Sequence, residues 1–579
     1  MLLIEANHIE KQYKERIILA FAGLHIHSQE RIGIVGLNGA GKTTLLRILT
    51  GEDVADAGIV KRYGSMAVVR QFDEEQQMED DAGLNAGDPD GDGLQMEGRS
   101  AYSASLLKMQ SKWHIDTTSR DYSTMSGGER TRLRMAHALE QEAQLLFADE
   151  PTSHLDLDGI MAVEDALRDY DGTVVLISHD RALLDAVCTR IIEVENGTIR
   201  EYKGNYTAFR EQKDREFNRA QFEYEQYTKE KARLTEAAIE KTQKARGVGK
   251  PPKGMSNSES REFKPHYAKL QAKMEKSVKS IETRIEQLEV KEKPKTPPSV
   301  QFDVNGYTPM TSKHAIQLER VSKSFGERTL FTELSATIKP GMKVALVGAN
   351  GTGKSTLLQM ILNRVSGVRV AESAKLGYFS QSLSILDDEK TILANIMATS
   401  PYPEMFVRTV LARLLFKRED VYKQVGVLSG GEMVKVALAK VFLGDYNVLL
   451  LDEPTNYLDI FTREELEDVL GAYPGTIVFA THDRRLMNQL ADHVLVIDEG
   501  RSTFFAGNYE AYLEHQQARK QAATKTQDHE EAILKCENEL AELIGRLSVP
   551  RKGDVKEQLE ARYQELLARL RELKQASRT

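Results

Sequence analysis

The sequence contains the same ordered set of short motifs twice. One glycine-rich octet runs from Gly36 to Thr43, and a second runs from Gly348 to Ser355. Each is followed by a Ser-Gly-Gly-Glu segment, an Asp-Glu pair and a histidine: Ser126, Asp149, Glu150 and His179 in the first half, and Ser429, Asp452, Glu453 and His482 in the second. The serine and the glutamate of the acidic pair are 24 residues apart in both halves, and that glutamate and the histidine are 29 apart. Two constant spacings predict two copies of one domain in tandem.

Each octet has the local context of a phosphate-binding loop. In the first half, an apolar strand pattern at 31–35 precedes the octet and a helix pattern at 43–49 follows it. Backbone N–H groups of such a loop and of the following helix bind polyphosphate oxygens, and a lysine adds a full positive charge. The predicted nucleotide contacts are Gly36, Asn38, Gly39, Gly41, Lys42, Thr43 and Thr44 in the first loop, and Gly348, Asn350, Gly351, Gly353, Lys354, Ser355 and Thr356 in the second.

Apolar strands also precede both acidic pairs and both histidines. An aspartate after such a strand, together with a hydroxyl of the octet, is suited to hold Mg²⁺, and the next glutamate is placed to polarise an attacking water as a general base. A histidine or glutamine at the end of a neighbouring strand reaches the γ-phosphate, the metal or the water. The catalytic candidates are Glu150, Glu453, His179, His482, Gln71 and Gln381, and the metal candidates are Thr43, Gln71, Asp149, Ser355, Gln381 and Asp452.

These motifs resemble those of the ATP-binding-cassette ATPases, in which Ser-Gly-Gly-Glu is the signature loop. The resemblance implies that two cassettes pair head to tail, so that ATP on one phosphate-binding loop is covered by the signature loop of the other cassette. Site one then combines Lys42, Glu150 and His179 with Ser429, Gly430 and Gly431, and site two combines Lys354, Glu453 and His482 with Ser126, Gly127 and Gly128.

Two aromatic residues lie at that family's adenine-stacking position. They are Tyr13 and Phe325, although an aromatic at this position could equally be core packing. The two halves differ at 153–156 and 456–459, which leaves open whether the two sites turn over equally.

Composition limits the class of protein. The chain has 579 residues, 41% of them hydrophobic and 28% charged, and a net charge of -9, values typical of a globular protein with several domains. No apolar run approaches the roughly 18 to 20 residues that a membrane span requires. The two cysteines suggest neither a disulfide framework nor a metal site, and the first residues lack a secretory signal pattern. A cytoplasmic location is expected.

A charged helical segment separates the two cassettes. Helix patterns at about 209–241 and 265–291 carry facing apolar stripes, with Leu270, Met274, Val278, Ile281, Ile285 and Leu288 on the second, and with Phe217, Ala220, Tyr224, Tyr227, Leu234 and Ala238 on the first. They predict an antiparallel hairpin, an arm on the order of 45 Å long. Its tip, 241–264, has seven basic and two acidic residues. A solvated loop is one interpretation; RNA contact is the other, through Lys244, Arg246, Lys250, Lys253, Met255, Arg261, Phe263 and Lys264.

Two further segments lie outside the repeat. Seven additional residues in the first half accompany an acidic stretch within 73–98, which favours a solvated loop over a calcium loop because the twelfth position holds Arg99. Apolar spacings after 513, interrupted at 548–554, predict a C-terminal helical hairpin. The predicted architecture is therefore α/β: a first cassette at 1–207, a helical linker at 208–300, a second cassette at 301–512 and a helical extension at 513–579.

Tandem cassettes with a charged helical linker resemble the ABC-F family of translation factors. The resemblance implies a cytoplasmic ATPase that uses ATP and Mg²⁺ and acts as a monomer with its cassettes paired within one chain. It also implies binding to the exit site of the 70S ribosome, with the linker reaching large-subunit rRNA and the peptidyl tRNA near the peptidyl-transferase centre. The long linker with a glycine, proline and lysine tip is most similar to antibiotic-resistance members that protect ribosomes from lincosamides, pleuromutilins and streptogramin A.

Three other functions are weighed against this one. A housekeeping ABC-F translation factor shares the same cassettes, but its usual arm inside the first cassette needs more than seven additional residues. A transporter ATPase subunit would not need the basic arm. A DNA-repair cassette protein usually carries zinc-binding cysteines, so neither DNA nor a membrane is expected as a partner.

Overall fold

The computed structural model describes residues 1–14, 16–70, 126–248, 257–294, 309–326, 328–380, 385–416, 419–498, 500–548 and 556–576. Within these ranges the side chains are described except at 247, 248, 257–267, 520–530, 556, 557, 575 and 576. Four of the sequence predictions fall outside the described residues: Gln71, Gln381, the acidic stretch 73–98, and the tip residues Lys250, Lys253 and Met255.

The first cassette combines two sheets with helices. Its strands are β1 (Leu2–Tyr13), β2 (Arg16–His27), β3 (Arg31–Gly36), β4 (Ala57–Arg62), β5 (Met66–Val69), β6 (Leu145–Asp149), β7 (Thr173–Ile177), β8 (Arg190–Glu195) and β9 (Thr198–Lys203). Its helices are α1 (Lys42–Thr50), α2 (Gly127–Glu140), α3 (Leu157–Arg168) and α4 (Arg181–Val187). The larger sheet has the order β5-β6-β7-β3-β8-β9 and is parallel except for β9, while β2-β1-β4 form an antiparallel sheet.

The strand order explains why the motifs meet. Strands β3, β6 and β7 are neighbours, and each is an almost continuous buried apolar run, as expected of a parallel sheet covered on both faces. The octet, the acidic pair and the histidine follow the carboxyl ends of these strands. Because parallel strands present their carboxyl ends at one edge, the motifs converge there.

The arm comes next in the chain and consists of α5 (Tyr206–Val248) and α6 (Asn257–Glu286), which pack against each other. The predicted hairpin is confirmed, but the helices extend further toward the tip. Helix α5 has 43 residues, about 65 Å at 1.5 Å per residue rather than 45 Å. Helix α6 begins eight residues before Pro265, the predicted start, because pairing of two long helices outweighs the local preference of proline for a first turn.

The apolar stripes of the arm are confirmed in most positions. Leu234 is buried, and Met274, Val278, Ile281, Ile285 and Leu288 are half-buried against the partner helix. Ala220 and Leu270 are exposed instead, so the prediction was wrong for these two. A helix pair buries a narrow seam, and residues at the edge of a stripe stay in water.

The second cassette repeats the architecture of the first. Its strands are β10 (Ile316–Phe325), β11 (Arg328–Ile338), β12 (Lys343–Val347), β13 (Val368–Val370), β14 (Leu376–Phe379), β15 (Val448–Asp452), β16 (Thr476–Ala480), β17 (His493–Asp498) and β18 (Arg501–Ala506). Its helices are α7 (Lys354–Leu362), α8 (Ile392–Met397), α9 (Glu404–Arg413), α10 (Gly430–Phe442), α11 (Ile460–Ala472) and α12 (Arg484–Leu490), with 3-10 turns at Asp420–Tyr422 and Val425–Val427. The sheets have the orders β14-β15-β16-β12-β17-β18 and β11-β10-β13.

The chain ends in a second helical hairpin, α13 (Tyr509–Ser548) and α14 (Lys556–Ala576). Leu540, Leu543 and Leu566 are buried between its helices, and Cys536, absent from the predicted stripe, is buried with them. The predicted α/β class, with tandem cassettes and two helical hairpins, is confirmed. Among the residues described, none of the helices is long and apolar enough to cross a membrane.

Candidate nucleotide sites

Left-handed glycines and hydrogen bonds from the lysines fix the backbone conformation of the phosphate-binding loops. Gly41 has φ +101°, and a Cβ there would lie 2.8 Å from Ile18 Cγ2, so only glycine fits this position. Lys42 Nζ donates to Gly36 O at 2.9 Å and Leu37 O at 3.0 Å. Lys42 is the first residue of α1, Lys354 is the first residue of α7, and each is 8% exposed. Each lysine side chain lies over its own loop, where a phosphate would bind.

The second loop has the same geometry. Gly353 has φ +101°, and Lys354 Nζ donates to Gly348 O at 2.7 Å and Ala349 O at 3.1 Å. Ser355 Oγ donates to Asp452 Oδ1 at 2.9 Å, which joins the predicted metal hydroxyl to the predicted metal carboxylate. The remaining loop candidates, Gly39, Thr43, Thr44, Gly351 and Thr356, lie in the loops or the first helical turns beside these lysines.

Both glutamates of the acidic pairs are in a left-handed backbone conformation. Glu150 has φ +50° and Glu453 φ +49°, directly after buried β6 and β15. Glu150 Oε1 is 3.5 Å from His179 Nε2, and Glu453 Oε1 is 3.4 Å from His482 Nε2. A strained backbone at such a position is typical of functional sites, where the surrounding structure holds it in place.

Burial changes the proton affinities of these groups. Desolvation, reinforced by Asp149, raises the pKa of Glu150 to about 7, and desolvation raises the pKa of Glu453 to about 8. Desolvation, with a smaller contribution from Lys354, lowers the pKa of His482 to about 4, and burial also lowers the pKa of His179. Near pH 7 the imidazoles are therefore neutral, and the glutamates have proton affinities suited to accepting a proton.

Three buried side-chain atoms at the ends of the two central sheets have no hydrogen-bond partner among the described residues. They are Glu150 Oε1, His179 Nδ1 and His482 Nδ1. Buried polar atoms are rarely left unsatisfied in proteins, and unsatisfied groups in a cleft indicate a place for a bound ligand or water.

The signature segments begin helices α2 and α10 through capping boxes. The Ser126 hydroxyl accepts from Glu129 N, and the Glu129 carboxylate accepts from Ser126 N; Ser429 and Glu432 repeat the arrangement. The glutamate of Ser-Gly-Gly-Glu thus fixes the helix start, a role that the sequence analysis missed although the Ser-x-x-Glu spacing signals it. The following glycines, Gly127, Gly128, Gly430 and Gly431, form the helix N-termini, where N–H groups can bind an anion.

The two cassettes face each other head to tail. Asn38 Nδ2 donates to Tyr457 O at 3.0 Å, and Asn350 Nδ2 donates to His154 O at 3.1 Å. Asn350 N also donates to Asp156 Oδ2 at 3.3 Å. The loops at 153–156 and 456–459, noted in the sequence only as places where the repeats differ, are therefore the segments that contact the opposite phosphate-binding loop.

One cavity of about 1280 Å³ runs between the cassettes. It is lined by Lys42, Thr43, Asp149, Glu150 and His179 with Ser429 and Gly431, and by Asn350, Glu453 and His482 with Ser126, Gly127 and Gly128. This volume is above the roughly 300–1,000 Å³ that is usual for a small-molecule pocket. Of the two motif sets that the sequence analysis combined, the lining contains all members except Lys354 and Gly430.

The aromatic candidates lie at the ends of the antiparallel sheets. Tyr13 ends β1, lines the cavity and is 47% exposed; Phe325 ends β10 and is 58% exposed. Exposure excludes the alternative of core packing for both. At the arm tip, Lys244 and Arg246 are exposed on α5, and Arg261, Phe263 and Lys264 belong to α6.

Comparison with known proteins agrees with this architecture. Residues 21–153 and 331–456 match the domain family described as ABC transporter. Over 582 residues the chain is 32% identical to the ribosome protection protein VmlR of Bacillus subtilis (strain 168), covering 99% of this chain and 98% of that protein. It is also 32% identical over 545 residues to the energy-dependent translational throttle protein EttA of Haemophilus influenzae, covering 86% of this chain and 93% of that one.

The solved structure of the RNase-L Inhibitor aligns with 88% of this chain and 93% of its own length, at a TM-score of 0.59 and 20% identity, which is a likeness of fold. The matched domains are ATPase domains, which bind ATP. With two such cassettes in tandem and relatives aligned along nearly its whole length, the chain belongs to the ABC-F family of tandem ATP-binding-cassette proteins.

Proposed function

We propose that the protein is a ribosome-binding ATPase that protects ribosomes against antibiotics. In its ATP-bound state it enters the exit site of the 70S ribosome, and the arm shifts the peptidyl tRNA and the drug-binding region beside the peptidyl-transferase centre. ATP closes the cassettes, and hydrolysis releases the protein. The observation that carries the proposal is the cavity lined by residues of both cassettes, together with the long arm that joins the cassettes. The full-length likeness to a protein named for ribosome protection supports it.

In each site, residues of both cassettes act on one ATP. Site one combines Lys42, Glu150 and His179 with the signature glycines after Ser429; site two combines Lys354, Glu453 and His482 with those after Ser126. The lysine and the signature N–H groups bind phosphate oxygens, and the glutamate accepts a proton from the attacking water. The neutral histidine lies beside that glutamate and is placed to donate a hydrogen bond to the γ-phosphate. Tyr13 and Phe325 offer exposed rings on which an adenine can stack.

A magnesium ion fits the donor sets at the ends of β6 and β15. Ser355 and Asp452, already hydrogen-bonded to each other, offer a hydroxyl and a carboxylate, and Thr43 and Asp149 stand at the corresponding positions. Among the described residues there is no cluster of three or more His, Cys, Asp or Glu side chains that could form an all-protein metal site. This suits Mg²⁺, which is usually held by one or two protein ligands with phosphates and waters, and which neutralises phosphate charge when bound.

The partners follow from the same proposal. They are large-subunit rRNA at the exit site and the peptidyl tRNA, met in the cytoplasm by a monomer whose cassettes pair within one chain; neither a membrane nor DNA is involved. A housekeeping translation factor of the same family is the second candidate. The likeness to the translational throttle protein favours it.

Removal of the tip separates the two candidates. We expect that deleting residues 245–262 returns a sensitive host to the drug susceptibility of the empty-vector strain, because the shortened arm no longer reaches the drug-binding region. The measurement is a susceptibility panel of lincosamides, pleuromutilins and streptogramin A. Nuclease-resistant co-sedimentation with 70S particles should persist in the deletion variant. If the full-length protein changes susceptibility to none of these drugs, the housekeeping candidate is favoured instead.

Charge at the tip should matter more than charge at the base of the same helix. Lys244→Gln/Arg246→Gln removes two exposed positive charges near the tip, and Arg215→Gln/Arg219→Gln removes two at the base. If the tip lies on rRNA, ribosome affinity falls as salt rises, and the steepness of log affinity against log salt reflects the number of phosphate contacts. We expect the tip variant to make this slope shallower by about 1.5, because binding with fewer phosphate contacts releases fewer counterions. The base variant should leave the slope unchanged. Equal slopes for both variants would show that the tip makes no phosphate contacts.

A further inference from the structure

The root of the arm is attached to the opposite cassette. Tyr206, the first residue of α5, is fully buried, and its hydroxyl donates to Glu464 Oε1 at 2.8 Å. Arg210, one turn further along α5, places Nη2 at 3.2 Å from Glu464 Oε2. Glu464 lies in α11 of the second cassette. One carboxylate therefore contacts two side chains at the base of the arm, and its Oε1 is also 4.0 Å from Arg181 Nη1 of the first cassette.

The tyrosine hydroxyl is a neutral donor in this contact. Burial, together with the neighbouring Glu464 carboxylate, raises the pKa of Tyr206 well above its usual value. A hydrogen bond from a buried neutral donor to an ionised carboxylate is among the stronger kinds in proteins. The contact is thus suited to fix the direction in which α5 leaves the first cassette.

The corresponding contact is absent at the other hairpin. The repeats are 303 residues apart here, as at the signature serines, so Glu464 corresponds to Met161, Tyr206 to Tyr509 and Arg210 to Leu513. The matching positions at the root of the C-terminal hairpin thus contain neither the carboxylate nor the arginine. Only the arm between the cassettes has this ionic attachment among the described residues.

The residue before Glu464 contacts site one. Arg463 Nη1 donates to His179 O at 3.2 Å, and Arg463 Nε donates to Leu458 O at 3.1 Å. The repeat position of Arg463 is Ile160, which has no such donor. Two consecutive residues of α11 therefore contact the histidine loop of site one and the root of the arm.

We propose that Glu464 is a positioning residue that couples closure of the cassettes to the direction of the arm. When the cassettes close, α11 brings the carboxylate to Tyr206 and Arg210 and orders the first turns of α5. When they open, the carboxylate leaves and the root of the arm is released. What the ordered arm then does rests on the proposed function; the coupling itself is a property of the isolated protein.

Hydrogen exchange of the isolated protein tests the coupling without ribosomes. In the Glu150→Gln/Glu453→Gln background, ATP is expected to slow amide exchange at 206–215 by about tenfold relative to ADP, because the contact holds the helix start closed. Glu464→Met, which places the residue of position 161 here, should remove this difference. Glu464→Gln keeps an acceptor for Tyr206 but loses the charge for Arg210, and should retain part of it.

The neighbouring pair supplies a matched control. Glu465 lies next to Glu464 on α11 with similar exposure, 19% against 21%, but pairs with Arg413 of its own cassette at 2.7 Å. Glu465→Gln should leave exchange at 206–215 unchanged. Arg210→Leu, which changes the other partner to the residue of position 513, keeps the Tyr206 hydrogen bond and should act like Glu464→Gln, so the test does not depend on one variant folding.

Exchange at the signature helix starts, 126–131 and 429–434, reports closure in every variant. We expect ATP to protect these segments in all of them. The proposal is overturned if Glu464→Met keeps the ATP-dependent protection at 206–215, or if Glu465→Gln loses it to the same extent. It is also overturned if ATP protects neither the signature segments nor the arm root in the Glu150→Gln/Glu453→Gln protein.

Discussion

Replacing Glu150 and Glu453 together by glutamine is expected to lower ATP hydrolysis by at least about 100-fold, because neither site then has a group that accepts the proton of the attacking water. Glutamine has nearly the shape of glutamate, and the phosphate-binding loops and signature helices are unchanged. ATP binding should therefore survive. Removing a carboxylate that burial already disfavours also relieves repulsion from Asp149 in site one and Asp452 in site two.

Under the proposed function, the cassettes of the double variant should stay closed after ATP binds. We expect the double variant to co-sediment with 70S particles in the presence of ATP and to remain bound when ATP is diluted, whereas the parent protein dissociates as it hydrolyses ATP. Nucleotide retention after gel filtration and phosphate release give the binding and hydrolysis measurements. Normal release of the double variant from ribosomes would contradict the clamp proposal. It would not contradict ATP hydrolysis by the parent protein.

The single variants measure the contribution of each site. Glu150→Gln leaves site two complete, and Glu453→Gln leaves site one complete. Because Arg463 contacts the His179 carbonyl and its counterpart is Ile160, the sites are not equivalent. We expect the two single variants to differ in residual rate, and equal rates would show that this asymmetry does not reach the chemistry.

Much of the site could be predicted because its residues are close to fixed backbone features. A phosphate-binding loop needs a strand before it and a helix after it, and an acidic pair at the end of a buried parallel strand must lie at the same sheet edge. These local rules placed Lys42, Glu150 and His179 together. The hairpins also followed from spacing, since apolar stripes at helical period require a partner helix.

The contacts between cassettes could not be predicted in the same way. Arg181 and Glu467 are 286 residues apart, and Tyr206 and Glu464 are 258 apart. No local pattern distinguishes a surface arginine from one that meets a carboxylate on another domain. The start of α6 was misplaced for a related reason, because local preference of Pro265 is weak against pairing with α5.

The pair Arg181 and Glu467 shows how closure depends on such contacts. Arg181, at the start of α4 in the first cassette, is 3% exposed and binds Glu467 of α11 through two hydrogen bonds, with Nη1 to Oε2 at 2.9 Å. A symmetry-related pair, Arg484 and Glu164, lies at the equivalent place with Nη2 to Oε2 at 2.7 Å. When the cassettes separate, these side chains are solvated again, so the two ion pairs form only in the closed state.

We therefore expect Arg181→Met to lower ATP hydrolysis on the order of 100-fold, because closing would bury Glu467 without its partner at a cost of about 3 kcal/mol or more. Glu467→Met should do the same from the other side. The double variant Arg181→Met/Glu467→Met should recover most of the rate, since a buried ion pair replaced by apolar side chains of similar volume is often neutral. Steady-state phosphate release for the four proteins forms a double-mutant cycle.

Arg190 provides the control for a charge pair that stays within one cassette. Its guanidinium binds Glu30 at 3.0 Å and Glu201 at 2.7 Å, all in the first cassette, and its side chain is 17% exposed. Arg190→Met should lower the free energy of unfolding but not the hydrolysis rate per folded molecule. If Arg181→Met behaves like Arg190→Met, the pair stabilises the fold alone. If the Arg181→Met/Glu467→Met protein is as slow as either single variant, closure depends on the charges themselves and not merely on avoiding an unpaired one.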